Sequence, residues 1–150
     1  MDKSQFLDEL RLEVGLVSDY AKNINEFYRG VVHAIGNHAK SQSMSVAIFI
    51  VEQESFVLYE CIGTCPYPPI EKFGEGQLSL CAIRGGETVF SEETEERMLT
   101  PFYSGHHLLG ILYLSVPSYE YSITEEDLVF LQEVSNYMTN KQTQFQRHNS

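Results

Sequence analysis

Residues 74–90 read GEGQLSLCAIRGGETVF, an apolar segment with Gly74 and Gly76 before it and Gly85-Gly86 behind it. Glycine admits the backbone conformations of sharp turns. Leu78–Arg84 is therefore expected to form about two helical turns, entered and left abruptly, with a short strand over Glu87–Phe90 after it. A helix pinned in this way lies across a sheet rather than along it. This reading decides the fold, because it puts an isolated short helix between two sets of strands.

On either side of the segment the chain reads as strands. Met44–Glu52 carries the continuous apolar run Val46–Val51 and predicts a strand buried on both faces. Gln53-Glu54 is a polar turn, and Ser55–Ile62 returns to complete a hairpin. Gly63–Phe73 carries Pro66, Pro68 and Pro69 and reads as a loop. Ser91–Arg97 is acidic and expected at the surface. Met98–Ser104 and Leu108–Val116 predict two more strands around Gly105-His106.

The two ends are helical. Leu7, Leu10, Val14, Val17, Ala21, Ile24, Tyr28, Val31 and Ile35 recur at alternating steps of three and four, the a/d spacing of a helical seam. One long helix, or two with a bend near Asn23, satisfies that pattern, and Gly36–Ser45 ends it. Its first half predicts a parallel dimer in which Val14 and Val17 meet a second copy. At the other end Thr124 is a strong N-cap with Asp127 at the capping-box position, ahead of the stripe Leu128, Leu131, Val134 (or Ser135) and Met138. The expected division is an amphipathic dimerisation extension over 1–22, one domain over 23–141, and a polar, frayed end over 142–150.

The order is long helix, two strands, short helix, three strands, long helix. It predicts an α+β fold with a central antiparallel sheet. The N- and C-terminal helices cover one face; the short helix and the proline loop enclose a candidate pocket on the other. At 150 residues a single core is expected to bury about 68–70% of the unfolded surface. Ten Lys plus Arg against twenty-one Asp plus Glu leave a net charge of −11. That field disfavours nucleic acid and anionic membranes and suits a basic protein partner. No apolar run approaches the ~18 residues of a membrane span. The N-terminus lacks a basic start followed by an apolar run, so the expected location is cytoplasmic, with Cys61, Cys65 and Cys81 as reduced thiols.

Four pieces in order, SVAIFIVEQESFVLYECIG (45–63), FGEGQLSLCAIRGGETVF (73–90), LTPFYSGHHLLGILYLSV (99–116) and SITEEDLVFLQEVSNYM (122–138), resemble a GAF domain over about residues 20 to 140. The resemblance implies a PAS-like sheet with a small-molecule pocket on one face and helices that dimerise on the other. It implies a sensory or regulatory module, though the fold hosts many functions. The lid between the third and fourth strands is only SEETEER. The Asn-Lys-Phe-Asp-Glu motif of cyclic-nucleotide-binding members and the Cys-His dipeptide of bilin-binding members are absent.

Some compact GAF proteins reduce free methionine sulfoxide with cysteine thiolates. In that family a cysteine follows the glycine pair directly, and another precedes the fourth strand. Here Gln77 and Leu78 follow Gly76, and no cysteine lies between Arg84 and Pro101. Cys81 and Cys61 read as buried structural thiols. Cys61 and Cys65 lack a second pair of metal ligands, and His106-His107 reads as an exposed turn. No catalytic residue, metal site or cofactor is assigned. The N-terminal N–H groups of the short helix suit a small neutral or anionic ligand. The ligand-binding set is Tyr67, Gln77, Leu78, Ser79, Cys81, Thr100 and Phe102. The sequence is thus read as a non-catalytic regulatory domain, a homodimer, that binds a small molecule or a protein partner and acts in trans. The alternatives are a small thiol-dependent reductase and an interaction module whose vestigial pocket is filled by its own side chains.

Overall fold

The computed structural model describes residues 2–148. Its elements are α1 (Lys3–Tyr20), α2 (Ile24–His38), β1 (Ser45–Glu52), β2 (Ser55–Ile62), β3 (Ile70–Lys72), α3 (Gln77–Arg84), β4 (Thr88–Ser91), β5 (Glu95–Ser104), β6 (His107–Pro117) and α4 (Glu125–His148). The strands form one antiparallel sheet in the order β3-β2-β1-β6-β5-β4. The β1–β2 hairpin turns on Gln53 and Glu54, both at positive φ, as a two-residue hairpin turn requires.

Side-chain alternation divides the central strands between two cores. Val46, Ile48, Met98, Phe102, Leu112, Leu114 and Val116 face the terminal helices. Ala47, Phe49, Leu99, Ile111 and Tyr113 face the other way, against Leu78 and Cys81 of α3. The α+β architecture with terminal helices on one face and the short helix on the other is the one expected.

The N-terminal seam breaks where Asn23 caps α2, its side chain accepting from the Glu26 N–H at 2.9 Å. α1 folds back along α2, with Glu9 3.0 Å from His38. It also lies beside α4, where Arg11 bonds Glu133 at 2.9 Å and the Ser18 N–H donates to Tyr137 Oη at 3.0 Å. Lys3 pairs at 2.7 Å with Asp127, which is 2% exposed and also accepts from the Tyr121 hydroxyl. This arrangement corrects the dimer seam. Leu7, Leu10, Val14 and Val17 are buried within the chain's own three-helix layer. Residues 3–20 are thus part of the core, not an extension.

Three further expectations change. The proline loop contains β3, which extends the sheet beside β2. The acidic run ends early, since β5 begins at Glu95 and takes Arg97 with it. The C-terminal helix is not frayed after Lys141. α4 continues to His148, with Gln142 buried between Tyr28 Oη at 3.2 Å and the Tyr103 carbonyl at 3.1 Å. Phe145 stacks on Phe27 with centroids 5.1 Å apart. Residues 149 and 150 lie outside the described residues.

Truncating Phe145 to Ala should therefore cost about 3–5 kcal/mol, the range for a buried aromatic. Urea denaturation of the variant against the parent chain checks this. A change below about 1 kcal/mol would mean that the last turns of α4 do not dock.

Candidate functional site

The residues around α3 form two arrangements, one at each flank. At its N-terminus Gly76 is the cap and Gly74 takes a φ of +91°. The expected anion site is present, but the chain fills it itself. Glu71 of β3, 4% exposed, accepts from the Ser79 N–H at 3.1 Å and from Ser79 Oγ at 3.2 Å. A carboxylate there is stabilised by the free N–H groups and by the helix dipole. A Cβ at Gly76 would fall 2.4 Å from Glu71 Oε1, so a side chain there would displace the carboxylate. Ser79 Oγ also accepts from the Gly74 N–H at 2.8 Å. The expectation that these N–H groups await a ligand is therefore corrected at Ser79.

Beside Glu71 lies a second polar cluster, centred on Arg97. Its side chain is 16% exposed. Nη2 and Nε donate to Glu95 Oε1 at 2.8 and 3.0 Å. Nη1 donates to Gln77 Oε1 at 3.1 Å and to Glu92 Oε1 at 3.3 Å. The guanidinium stands 5.4 Å from the centroid of the Tyr67 ring. Tyr67 Oη donates to Gln77 Oε1 at 2.5 Å, and Gln77 Nε2 donates to Glu92 Oε1 at 2.8 Å. Tyr67 in turn meets Tyr113 edge-on at 5.3 Å and Phe49 at 5.9 Å. Tyr113 is fully buried, and its hydroxyl lies toward Ser115 without a hydrogen bond of full geometry. Burial holds the Tyr67 and Tyr113 hydroxyls protonated well above the usual range.

Of the expected ligand-binding residues, Tyr67 and Gln77 meet in this cluster, and Ser79, in the first turn of the helix, bonds Glu71 and Gly74. Leu78 and Cys81 are fully buried and fill the space beneath it against the sheet. Thr100 and Phe102 are not with them. They share the strand face of Met98, which packs against the terminal helices, because Leu99 takes the alternate face. The residues missed were Arg97, Glu92, Glu95 and Glu71. The first three were hidden in a run that composition alone makes exposed. The spacing of Glu95, Arg97 and Leu99 by two was the available signal.

The other flank of α3 holds a cleft of about 280 Å³ lined by Phe56, Phe73, Gly74, Ser79, Ala82, Ile83 and Leu108. That is at the lower edge of small-molecule sites, about 300–1,000 Å³. Its polar groups, Ser79 Oγ and the Gly74 N–H, already bond each other.

The thiols are poorly placed for nucleophilic chemistry. Burial pushes Cys81 up to about 11 and Cys61 up to about 11, and raises Cys65. A thiolate nucleophile needs the opposite shift. Cys81 is buried as expected, with Sγ–H donating to the Gly86 carbonyl at 3.6 Å; Cys61 is only half-buried, which corrects that expectation. Among the described residues no group of three or more His, Cys, Asp or Glu could hold a metal ion.

No family model matches the sequence, and no curated protein is significantly similar to it. Solved structures do resemble it. The chain superposes on the GAF domain of a phosphoenolpyruvate-protein phosphotransferase from Coxiella burnetii with a TM-score of 0.77, at 18% identity over 99% of each chain. It has the GAF-domain fold. The corresponding GAF domain from Acinetobacter gives 0.75 at 14% identity, covering 97% of each chain. Free methionine-R-sulfoxide reductase from Neisseria meningitidis, in complex with its substrate, gives 0.83 at 15% identity over 99% of this chain and 95% of that one. At these identities the likeness is one of fold.

The raised Cys81 sets a pH dependence. Its thiol keeps its proton in the folded chain up to about 11, whereas an unfolded thiol loses it near 9.0. Between these values the folded state binds more protons, so the contribution to stability falls as pH rises. Stability should decline from pH 9 to 11, less steeply in Cys81→Ala. Parallel slopes for the two proteins in chemical denaturation would show that Cys81 does not titrate this way.

Proposed function

We propose that this chain is a non-catalytic regulatory domain of the GAF type, whose α3 site is closed by the chain's own side chains. The observation that carries this reading is the occupied site. Glu71 takes the N–H of α3 at Ser79, Arg97 with Tyr67 and Gln77 fills the adjoining corner, and Leu78 and Cys81 pack the space between. A reductase needs an open site with a thiolate facing it, and all three thiols are held toward the protonated form. Ligand binding therefore requires rearrangement at the site, and such a rearrangement is a signal in itself. The reading includes a protein partner in trans, for which the acidic surface favours a basic face.

A second copy remains part of the reading, through a different surface. With the inner seam buried, α1 turns Leu12, Leu16 and Tyr20 outward, 63%, 43% and 59% exposed. They recur every fourth residue and form one stripe. A two-fold pairing of this stripe covers it with itself. No helix among the described residues is long and apolar enough to cross a membrane.

Two measurements test the reading. Incubation with free methionine-R-sulfoxide and a thiol reductant should give no turnover above background. Turnover that disappears in Cys65→Ser or Cys81→Ser would establish the reductase instead. Sedimentation at tens of micromolar should find a dimer that Leu16→Glu converts to a folded monomer. A monomeric parent chain would remove the dimer.

A further inference from the structure

The Arg97 cluster is built like a recognition site with its ligand already in it. Its acceptors are three side-chain oxygens, Glu95 Oε1, Glu92 Oε1 and Gln77 Oε1. They take up all three guanidinium nitrogens, and Tyr67 supplies an aromatic wall 5.4 Å away. Planar cations are held by forked acceptors and a ring face in this way. Two carboxylates against one cation leave the cluster with a formal charge of −1, and with Arg97 withdrawn it would be −2. The fully buried Tyr113, whose ring meets Tyr67 edge-on, turns its hydroxyl toward Ser115 without a hydrogen bond of full geometry. A buried polar atom left in this state is costly unless something can satisfy it.

The position also permits exchange. Glu92 and Glu95 are 37% and 28% exposed at the side chain. They lie at and just after the short turn joining β4, an edge strand, to β5. Arg97 is the part of the cluster that can leave, since its long side chain can reach solvent while the acceptors stay on α3, β5 and the turn between strands.

We propose that Arg97 is a tethered internal ligand, and that the Gln77–Glu92–Glu95–Tyr67 site takes a small guanidinium compound in its place. A compact ammonium would fill fewer of the arms, because the acceptors are arranged around three separate nitrogens. Displacement of Arg97 frees its side chain at the surface and lets Tyr67 and its loop adjust, which couples occupancy to shape. This inference gives the α3 site of the proposed regulatory domain its ligand class, and so rests on that reading.

Arg97→Ala in the full chain should bind N-ethylguanidinium, seen by titration calorimetry and as a rise in melting temperature over an equal concentration of sodium chloride. The parent chain should bind it at least about tenfold more weakly, because an occupied site lowers apparent affinity by its free fraction. Adding Glu95→Gln and Glu92→Gln to Arg97→Ala should abolish binding. No binding by Arg97→Ala, or equal binding by the variant and the parent, overturns the proposal. If Arg97→Ala does not fold, the parent chain decides. Its Arg97 Nε–H resonance should shift as agmatine is added to about 10 mM, the scale on which a free ligand rivals a tethered one. A resonance unmoved at that concentration overturns the proposal. Either failure leaves the sulfoxide assay, and the non-catalytic reading, untouched.

Discussion

The central strands of this sheet carry apolar side chains on both faces, and that requirement for two covers organises everything else. Val46 and Ile48 of β1 point one way, Ala47 and Phe49 the other; β6 and β5 repeat the division. Burying only one face would leave rings such as Phe49 and Tyr113 in water, at roughly 1.5–3 kcal/mol for each large apolar side chain. The terminal helices cover one face as a continuous layer, fixed at its start by the partly buried Lys3–Asp127 pair and at its end by Phe27 on Phe145. The second cover is much smaller. α3 has eight residues and packs on β5 and β6.

A helix that short gains little from its own hydrogen bonds. It is held by what it buries and by how its ends are satisfied. Leu78 and Cys81 provide the burial. Glu71 satisfies the Ser79 N–H at the start, and Gly85, at a φ of +72°, closes the end by donating its N–H to the Cys81 carbonyl at 2.9 Å. β3 exists in this arrangement to carry Glu71, since three residues beside β2 are enough to bring that carboxylate under the helix.

The consequence is functional. Beside α3 the chain has put its own carboxylate at one polar position and its own guanidinium at another. Both are reversible kinds of occupancy, but they differ in depth. Glu71 is nearly inaccessible and belongs to the architecture of the lid, whereas Arg97 borders solvent and is held by side chains alone. The same burial that stabilises the lid pushes the Cys61 and Cys81 thiols toward their neutral forms.

The sequence by itself determined the element types outside the proline loop, which hides β3, along with the lid between glycines and the division of the chain between two faces, because strand-length apolar runs, the three-to-four period and glycine position are local properties. It also identified Asp127 as a capping residue, which the Thr124 N–H confirms at 2.8 Å. What the tertiary structure decided was which partner each surface found. The α1 stripe could equally have met another chain, and only the break at Asn23, which lets α1 turn back, brought Leu10 and Val17 onto the chain's own core. Thr100 and Phe102 were one residue out of phase with the lid, and alternation makes one residue the whole width of the sheet. Arg97 sat in a run whose composition said solvent. It is sheltered because β5 starts at Glu95 and places its side chain beside Tyr67 and Gln77, residues twenty or more positions away in sequence that only the folded sheet brings within hydrogen-bonding reach.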